Sequence, residues 1–275
     1  MKKIDFHTHS HYSDGTSRPE DLARRAEKAG LEILILTDHD TVAGFPELLE
    51  AAKLYKVSVA CGIEINTADS GVHILGYGFK WDSPLLMETL SDFRARRRLR
   101  VEKMLEKLRS LGFPIDFEDV GQVSKESLGR PHIADALVKK GLVKSRQEAF
   151  DRLLSGGKPG YVESLGPSPK EAIELIRGFG GFASLAHPHI IKKAERIPEW
   201  IEWGLEGLEG YYADLNHPQK WRNLAQEKNL LLTGGSDFHG PGSGRDKVFG
   251  VEIPDEVYQG FLKRLEACPY GIYRA

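Results

Sequence analysis

The feature that most restricts this chain is a rhythm. Short apolar runs alternate with stretches of helical periodicity, and the apolar runs end in histidine or a carboxylate. KKIDF reads as a short strand, RPEDLARRAEKAG repeats apolar positions at helical spacing as far as Gly30, and LEILILT is a continuous apolar run of strand length. FPELLEAAKLYK is helical again, and VSVACGIEI and VHILGYGF are strand-like. Repetition of this kind builds an α/β sheet or barrel with parallel strands.

From Trp81 to about Val162 the rhythm changes. SPLLMETLSDFRARRRLRVEKMLEKLRSLG predicts one long helix ended by Gly112, and RPHIADALVKKG and SRQEAFDRLLSGG predict shorter ones with no strand between them. The strand–helix alternation then resumes through SPKEAIELIRGFG, FASLA, IPEWIEWG, LEGLEGYY, HPQKWRNLAQEKN and LLLTGGSD. About seven strand–helix units predict a barrel-like α/β domain over residues 1–80 and 163–275, interrupted by a helical insertion over 81–162 that caps it. At 275 residues and 40% hydrophobic content the chain is long enough to bury such a core.

In α/β folds the loops after the strands converge on one face, so the residues there carry the chemistry. KIDF is followed by His7 and His9, with His11 and Asp14 just beyond. LEILILT is followed by Asp38, His39 and Asp40; VSVACGIE ends on Glu64; FASLA runs into His187; LLLTGGS runs into Asp237 and His239. His73 sits near the start of its strand, which fits an antiparallel neighbour whose beginning faces the same rim. Any one of these histidines alone is more often a core or surface residue than a ligand. Together they need a common cause, because buried imidazoles and carboxylates are costly unless a cation neutralises them.

Imidazole plus carboxylate without thiolate suits Zn²⁺, Mn²⁺ or Fe²⁺. His-x-His sends two rings to one side of an extended segment, and a carboxylate such as Glu64 can bridge two ions. The number of candidate ligands implies two or three ions, and sites of that kind activate water and clamp a phosphoryl group.

Thirty-eight basic against forty acidic residues give a net charge of −2, which argues against a protein that coats nucleic acid or a membrane. No apolar run reaches the length of a membrane span, and the first residues lack the apolar stretch of a signal peptide. Of the two cysteines, Cys61 lies in an apolar run and reads as a buried thiol. A cytoplasmic location is therefore expected, and nothing in the sequence calls for an obligate protein partner.

HTHSHYSDGT, TDHD, GIE, a later isolated histidine, AHP and SDFH occur in the order found in the PHP (polymerase and histidinol phosphatase) superfamily, which this chain resembles across its α/β portion. GRPHIA and GKPGYV resemble a narrower group of stand-alone bacterial PHP phosphatases, among which are 3′,5′-nucleoside bisphosphate phosphatases and 5′–3′ exoribonucleases acting on short RNAs. The resemblance implies a distorted (β/α)7 barrel with a helical insertion. It also implies a two- or three-ion site, manganese first with iron or zinc as alternatives. The implied ligands are His7, His9, Asp14, His39, Glu64, His73, His187, Asp237 and His239.

One ion is then expected on His7, His9, Glu64 and Asp237, a second on Glu64, His73 and His187, and a third on Asp14, His39 and His239. His11 and His189 fall outside the motif positions. Asp38 and Asp40 either orient imidazoles or cap the next helix.

For substrate, the resemblance points to Arg130 in GRPHIA as a phosphate ligand, with His132, Lys158, Tyr161 and His217 as further pocket candidates. The run FRARRRLR (93–100) reads as a solvated helix face that can also draw an oligonucleotide. The implied reaction is hydrolysis of the 3′-phosphate of a 3′,5′-nucleoside bisphosphate by metal-activated water, with His187 or His239 as proton donor. Exonuclease action on short 5′-phosphorylated RNAs and histidinol phosphatase activity are the alternatives within the enzyme class. A metal-containing scaffold that binds nucleotide without turnover is the alternative outside it.

Overall fold

Local signals set many element boundaries. The computed structural model describes residues 1–120, 126–213 and 219–274. Strand β1 (Lys2–Thr8) leads into α1 (Pro19–Ala29), β2 (Ile33–Leu36), α2 (Phe45–Tyr55), β3 (Ser58–Asn66) and β4 (His73–Tyr77). Helix α1 opens on Pro19, whose missing N–H has no partner to lose there, and places Glu20 and Asp21 at the positive end of the helix dipole. It stops at Gly30, which takes the left-handed conformation with φ 67°. Leu22, Ala23 and Ala26 form its buried face, and a side chain such as Leu22 contributes roughly 2 kcal/mol by leaving water.

The inserted segment is helical throughout its described residues. It consists of α3 (Pro84–Ser110), α4 (Phe117–Val120), α5 (Arg130–Lys139) and α6 (Arg146–Ala149), with a π-helical turn at Phe150–Leu154. SRQEAFDRLLSGG is therefore not one regular helix: α6 changes pitch at Phe150. The remaining elements are α7 (Pro169–Gly178), β5 (Phe182–Leu185), α8 (Ile197–Glu202), β6 (Leu205–Tyr212), α9 (Lys220–Glu227), β7 (Leu231–Gly235), β8 (Val251–Ile253), α10 (Asp255–Glu266) and β9 (Ile272–Tyr273).

The strands lie in the order β7-β6-β5-β4-β3-β2-β1-β8, with β9 beside β3. Beyond β7 the chain returns to β1: the Asp237 N–H donates to His7 O and the His9 N–H donates to Phe238 O, both at 2.9 Å. This makes a nearly closed barrel in a mixed α/β fold. Its distortion is at β4, which runs antiparallel to both β3 and β5. Only residues 67–72 separate β3 from β4, too few for the crossover that a parallel strand requires. His73 therefore starts its strand opposite Asn66, on the same rim as Glu64.

Strand β2 shows why LEILILT is apolar throughout. Ile33 and Ile35 pack in the cluster that gathers Phe6, Tyr77, Phe182 and Phe261, while Leu34 and Leu36 pack with the helices on the other side. Helix α3 belongs to two cores. Leu86, Leu90 and Phe93 join the barrel's apolar layer, whereas Val101, Met104, Leu105 and Leu108 join a separate cluster with α5 and the π turn.

Closure of the barrel leaves no room at one point. A Cβ on Gly235 would lie 2.4 Å from His7 Cβ and 2.6 Å from His7 N. Gly235→Ala is expected to cost about 1–3 kcal/mol, as overpacking does, and to move His7. Urea unfolding that matches the parent protein would contradict this account of the closure.

Candidate metal centre

Glu64 is the hub. It has almost no exposed surface and carries five imidazole nitrogens around its two oxygens. Oε1 lies 2.7 Å from His73 Nδ1 and 2.8 Å from His187 Nε2. Oε2 lies 3.1 Å from His9 Nε2, 3.1 Å from His39 Nδ1 and 3.2 Å from His7 Nε2. Asp237 Oδ1 sits 3.3–3.5 Å from His9, His7 and His239. Asp14 faces His239 Nε2 at 3.2 Å and His39 Nε2 at 3.6 Å.

All nine sequence-derived ligand candidates thus come together on one rim. The ligand atoms of eight of them form three groups within 4.8 Å: His7, His9, Glu64 and Asp237; His39, Glu64 and His73; and His9, Asp14, His39 and His239. His187, expected beside Glu64 and His73, reaches Glu64 Oε1 but joins none of these groups. The first group is the expected one. In the others His39 stands beside Glu64 and His73, and His9 adds to the Asp14 group, because both rings lie between neighbouring carboxylates.

Four buried atoms in this cluster have no hydrogen-bond partner: His9 Nε2, Asp14 Oδ1, His187 Nδ1 and Asp237 Oδ1. Each such orphan costs about 1–3 kcal/mol, and divalent cations held by nitrogen and oxygen donors would satisfy them. The donor set fits such ions.

The electrostatics agree. Burial alone would raise the Glu64 carboxyl, but the imidazoles of His39, His7 and His73 outweigh it and hold it well below the usual range. Burial would lower His9, yet the Asp237 and Glu64 carboxylates beside it push it up to about 9. Burial wins at His73, which falls to about 4.

Residues that the sequence reading passed over hold the ligands. The Tyr212 hydroxyl and Arg245 Nη1 both donate to Asp237 Oδ2, at 2.8 and 2.6 Å, leaving Oδ1 turned to the histidines. Asp5 accepts from the Ser236 and Gly250 N–H groups, each at 2.8 Å, beneath the loop that carries Asp237. Glu209 accepts from His7 Nδ1 at 3.0 Å and from the His187 N–H at 2.7 Å. The sequence signal for Asp5 and Glu209 was a carboxylate between apolar neighbours within a strand. Asp38 ties down the first loop through the Ser10 N–H and the Ser10 and Ser13 hydroxyls; Asp40 accepts from Arg97 and the Asn66 N–H. Neither caps a helix.

The remaining candidates divide. Arg130 lines a cavity of about 870 Å³ above the cluster, together with His39, His73, His187 and His239. Among the described residues no carboxylate pairs with its guanidinium, which lies 5.8 Å from the ring centroids of both Phe150 and Tyr161. Burial and the adjacent Arg130 pull Arg100 down to about 10. Tyr161 is a buried support for these arginines and donates to Glu163. His132 is not on the cavity wall: its Nδ1 accepts from the Gly129 N–H and its Nε2 donates to Ser13 O, so it pins α5 to the Asp14 loop. Lys158 is exposed and also off the wall. His217 lies outside the described residues.

His11 bonds Ser17 O away from the cluster, and exposed His189 lies 5.0 Å from the Tyr212 ring. The run 93–100 splits by helical spacing. Arg96 and Arg98 pair with Asp92 and Glu102 in solvent, while Arg97 and Arg100 reach the cavity.

The model of the PHP domain matches residues 5–154, more than half of the chain. The chain belongs to the PHP family. It is 35% identical to a 5′–3′ exoribonuclease of Haemophilus influenzae over 93% of its own length and 97% of that protein's. It is 31% identical to a 3′,5′-nucleoside bisphosphate phosphatase of Chromobacterium violaceum, over 97% and 98% of the two chains. A solved structure of an amidohydrolase from Chromobacterium violaceum, with bound sulfate and no metal, superposes with a TM-score of 0.85 at 29% identity, covering 98% of this PHP chain and 97% of that one. The PHP chain is accordingly a phosphoric ester hydrolase. No helix among the described residues is long and apolar enough to cross a membrane.

The His9 shift has a testable sign. Its pKa rises from 6.5 to about 9 in the metal-free fold, so the stabilisation it brings is complete below pH 6.5 and is lost as pH climbs through 9. Chelator-treated protein should therefore lose stability between these pH values in urea titrations. A divalent ion added at pH 7 should displace protons, seen as a buffer-dependent heat in calorimetry. Stability that rises over this interval would contradict the assignment.

Proposed function

We propose that this PHP protein hydrolyses phosphate monoesters of nucleotides, with the 3′-phosphate of 3′,5′-nucleoside bisphosphates as its preferred target. The observation that carries this reading is the arginine pair above the cluster. Arg130 has no carboxylate partner among the described residues, and burial and then Arg130 disfavour the charge of Arg100, so an anion in the cavity relieves both. A substrate with two phosphates presents one to the histidine–carboxylate cluster and the second to these arginines. The similarity to the bisphosphate phosphatase supports the same assignment.

Two or three divalent ions, manganese first with iron or zinc as alternatives, would be held by the nine ligands and supply activation of water and neutralisation of charge on the phosphoryl oxygens. Glu64 belongs to two of the three groups. Arg97, fixed by Asp40 at 3.0 Å, presents its remaining donors at the cavity wall. Of the two candidate proton donors, His239 has its nitrogens facing Asp237 O and Asp14, whereas His187 keeps Nδ1 without a partner. His187 is thus the better placed to hold a proton for the leaving oxygen. The two cysteines, both buried and free, support a cytoplasmic location.

Exonuclease action on short 5′-phosphorylated RNAs is the second reading, favoured by the similarity to the exoribonuclease and by the arginine row along α3. Phosphate release from adenosine 3′,5′-bisphosphate, compared with mononucleotide release from a 5′-phosphorylated trinucleotide, separates the two. A rate that falls as nucleotides are added is expected; a rising rate favours the exonuclease, and no turnover of either with metal bound overturns the proposal. Arg130→Ala should raise KM for the bisphosphate roughly 10–100-fold with kcat little changed, the loss of a charge-assisted bond. Glu64→Gln should abolish turnover and metal retention together.

A further inference from the structure

Glu209 is a carboxylate in the middle of β6, flanked by Leu208 and Gly210, with its side chain wholly buried. It does not belong to any of the three ligand groups. Burying a carboxylate is expensive unless both oxygens are used, and here each takes one donor. Oε1 faces His7 Nδ1 at 3.0 Å and Oε2 accepts from the His187 N–H at 2.7 Å. One side chain on β6 thereby grips a ring from β1 and a backbone from the end of β5.

Two backbone irregularities make this grip possible. The pairing of β6 with β7 shifts between Glu209 and Tyr211, the kind of bulge that re-aims a side chain beside an active site. His187 has φ 26°, a left-handed value that is strained for a residue with a Cβ. The bond from its N–H to Glu209 holds it there, with His187 Nε2 at Glu64.

We infer that Glu209 is a positioning residue of the metal centre: it keeps the His7 proton on Nδ1 so that Nε2 faces the ion, and it fixes the His187 backbone so that both ligands converge on Glu64. This rests on the reading that the cluster binds metal. A histidine that offers one nitrogen to a metal needs an acceptor on the other, and a carboxylate there sets the ring's orientation and its donor strength. A glutamine at 209 accepts from only one of the two N–H groups and turns its NH₂ on the other.

The test uses the full chain stripped with chelator and reloaded with Zn²⁺ or Mn²⁺. Glu209→Gln is expected to weaken binding of the ion at His7 by about 10–100-fold, lowering the bound stoichiometry while the other ions stay. In the Zn²⁺-loaded parent, ¹⁵N-histidine NMR should show the His7 proton on Nδ1, slow to exchange; in Glu209→Gln that proton should exchange fast. Glu209→Asp keeps the charge with a shorter reach and should restore part of the affinity, and it serves as the test variant if Glu209→Gln does not fold.

Unchanged affinity in the variants, or a His7 proton on Nε2 in the parent, overturns the inference alone. A parent protein that binds no divalent ion overturns both it and the metal reading, and shows this without any variant.

Discussion

Five imidazole nitrogens within 3.2 Å of one buried carboxylate is an arrangement that ordinary hydrogen bonding cannot satisfy. A carboxylate has about four acceptor sites, and the imidazoles around Glu64 come from both halves of the barrel. Glu64 therefore fixes where the strands must end. β4 has to run backwards to bring His73 to the rim, and β7 has to close against His7 without a side chain at Gly235. The loop after β5 takes up a strained backbone at His187 for the same reason. The barrel's distortions occur where a regular barrel would leave a ligand out of reach.

Around this hub some supporting residues act by taking the second atom of a ligand candidate. Tyr212 and Arg245 occupy one oxygen of Asp237, and Glu209 occupies Nδ1 of His7. What remains unpartnered points inward. The insertion supplies the opposite charge sign: its arginines stand across the cavity from the acidic cluster, with apolar Met104 and Phe150 beside them. On the proposed reading, a phosphate ester bridging the two sides would be matched at both ends, its scissile group at the histidine–carboxylate cluster and its remaining charge at the guanidinium groups.

The sequence was most legible where chemistry and periodicity coincide. His7, His39, Glu64, His187 and Asp237 all stand at or near the end of an apolar run, so the α/β pattern itself located them. It was less legible where a role depends on an unlike partner far away in the chain. His132 looked like a pocket residue because it adjoins Arg130, yet helical geometry turns its ring to Ser13. Arg94 to Arg100 looked uniform, yet spacing along α3 separates residues that meet Asp40 and Val162 from those that meet solvent. Glu209 gave only a charge inside a strand, and its function appears once β1 and β5 are placed on either side of it. Residues beyond His239 were placed in the barrel domain with no element or contact assigned, although β8 pairs with β1 and Phe261 on α10 stacks on Phe6.

Helix α3 is continuous over 27 residues, a rod of about 40 Å, with one end embedded in the barrel and the other in the insertion. Arg97 bonded to Asp40 and Arg146 bonded to Ser243 O brace the insertion at two further points. A domain mounted this way behaves as a bracket rather than a door. Its angle over the ligands is set by the stiffness of one helix, so the span between the arginines and Glu64 is a fixed gauge. In the bisphosphate hydrolase proposed above, such a gauge would sort molecules by the distance between their charged groups, before any bond is broken.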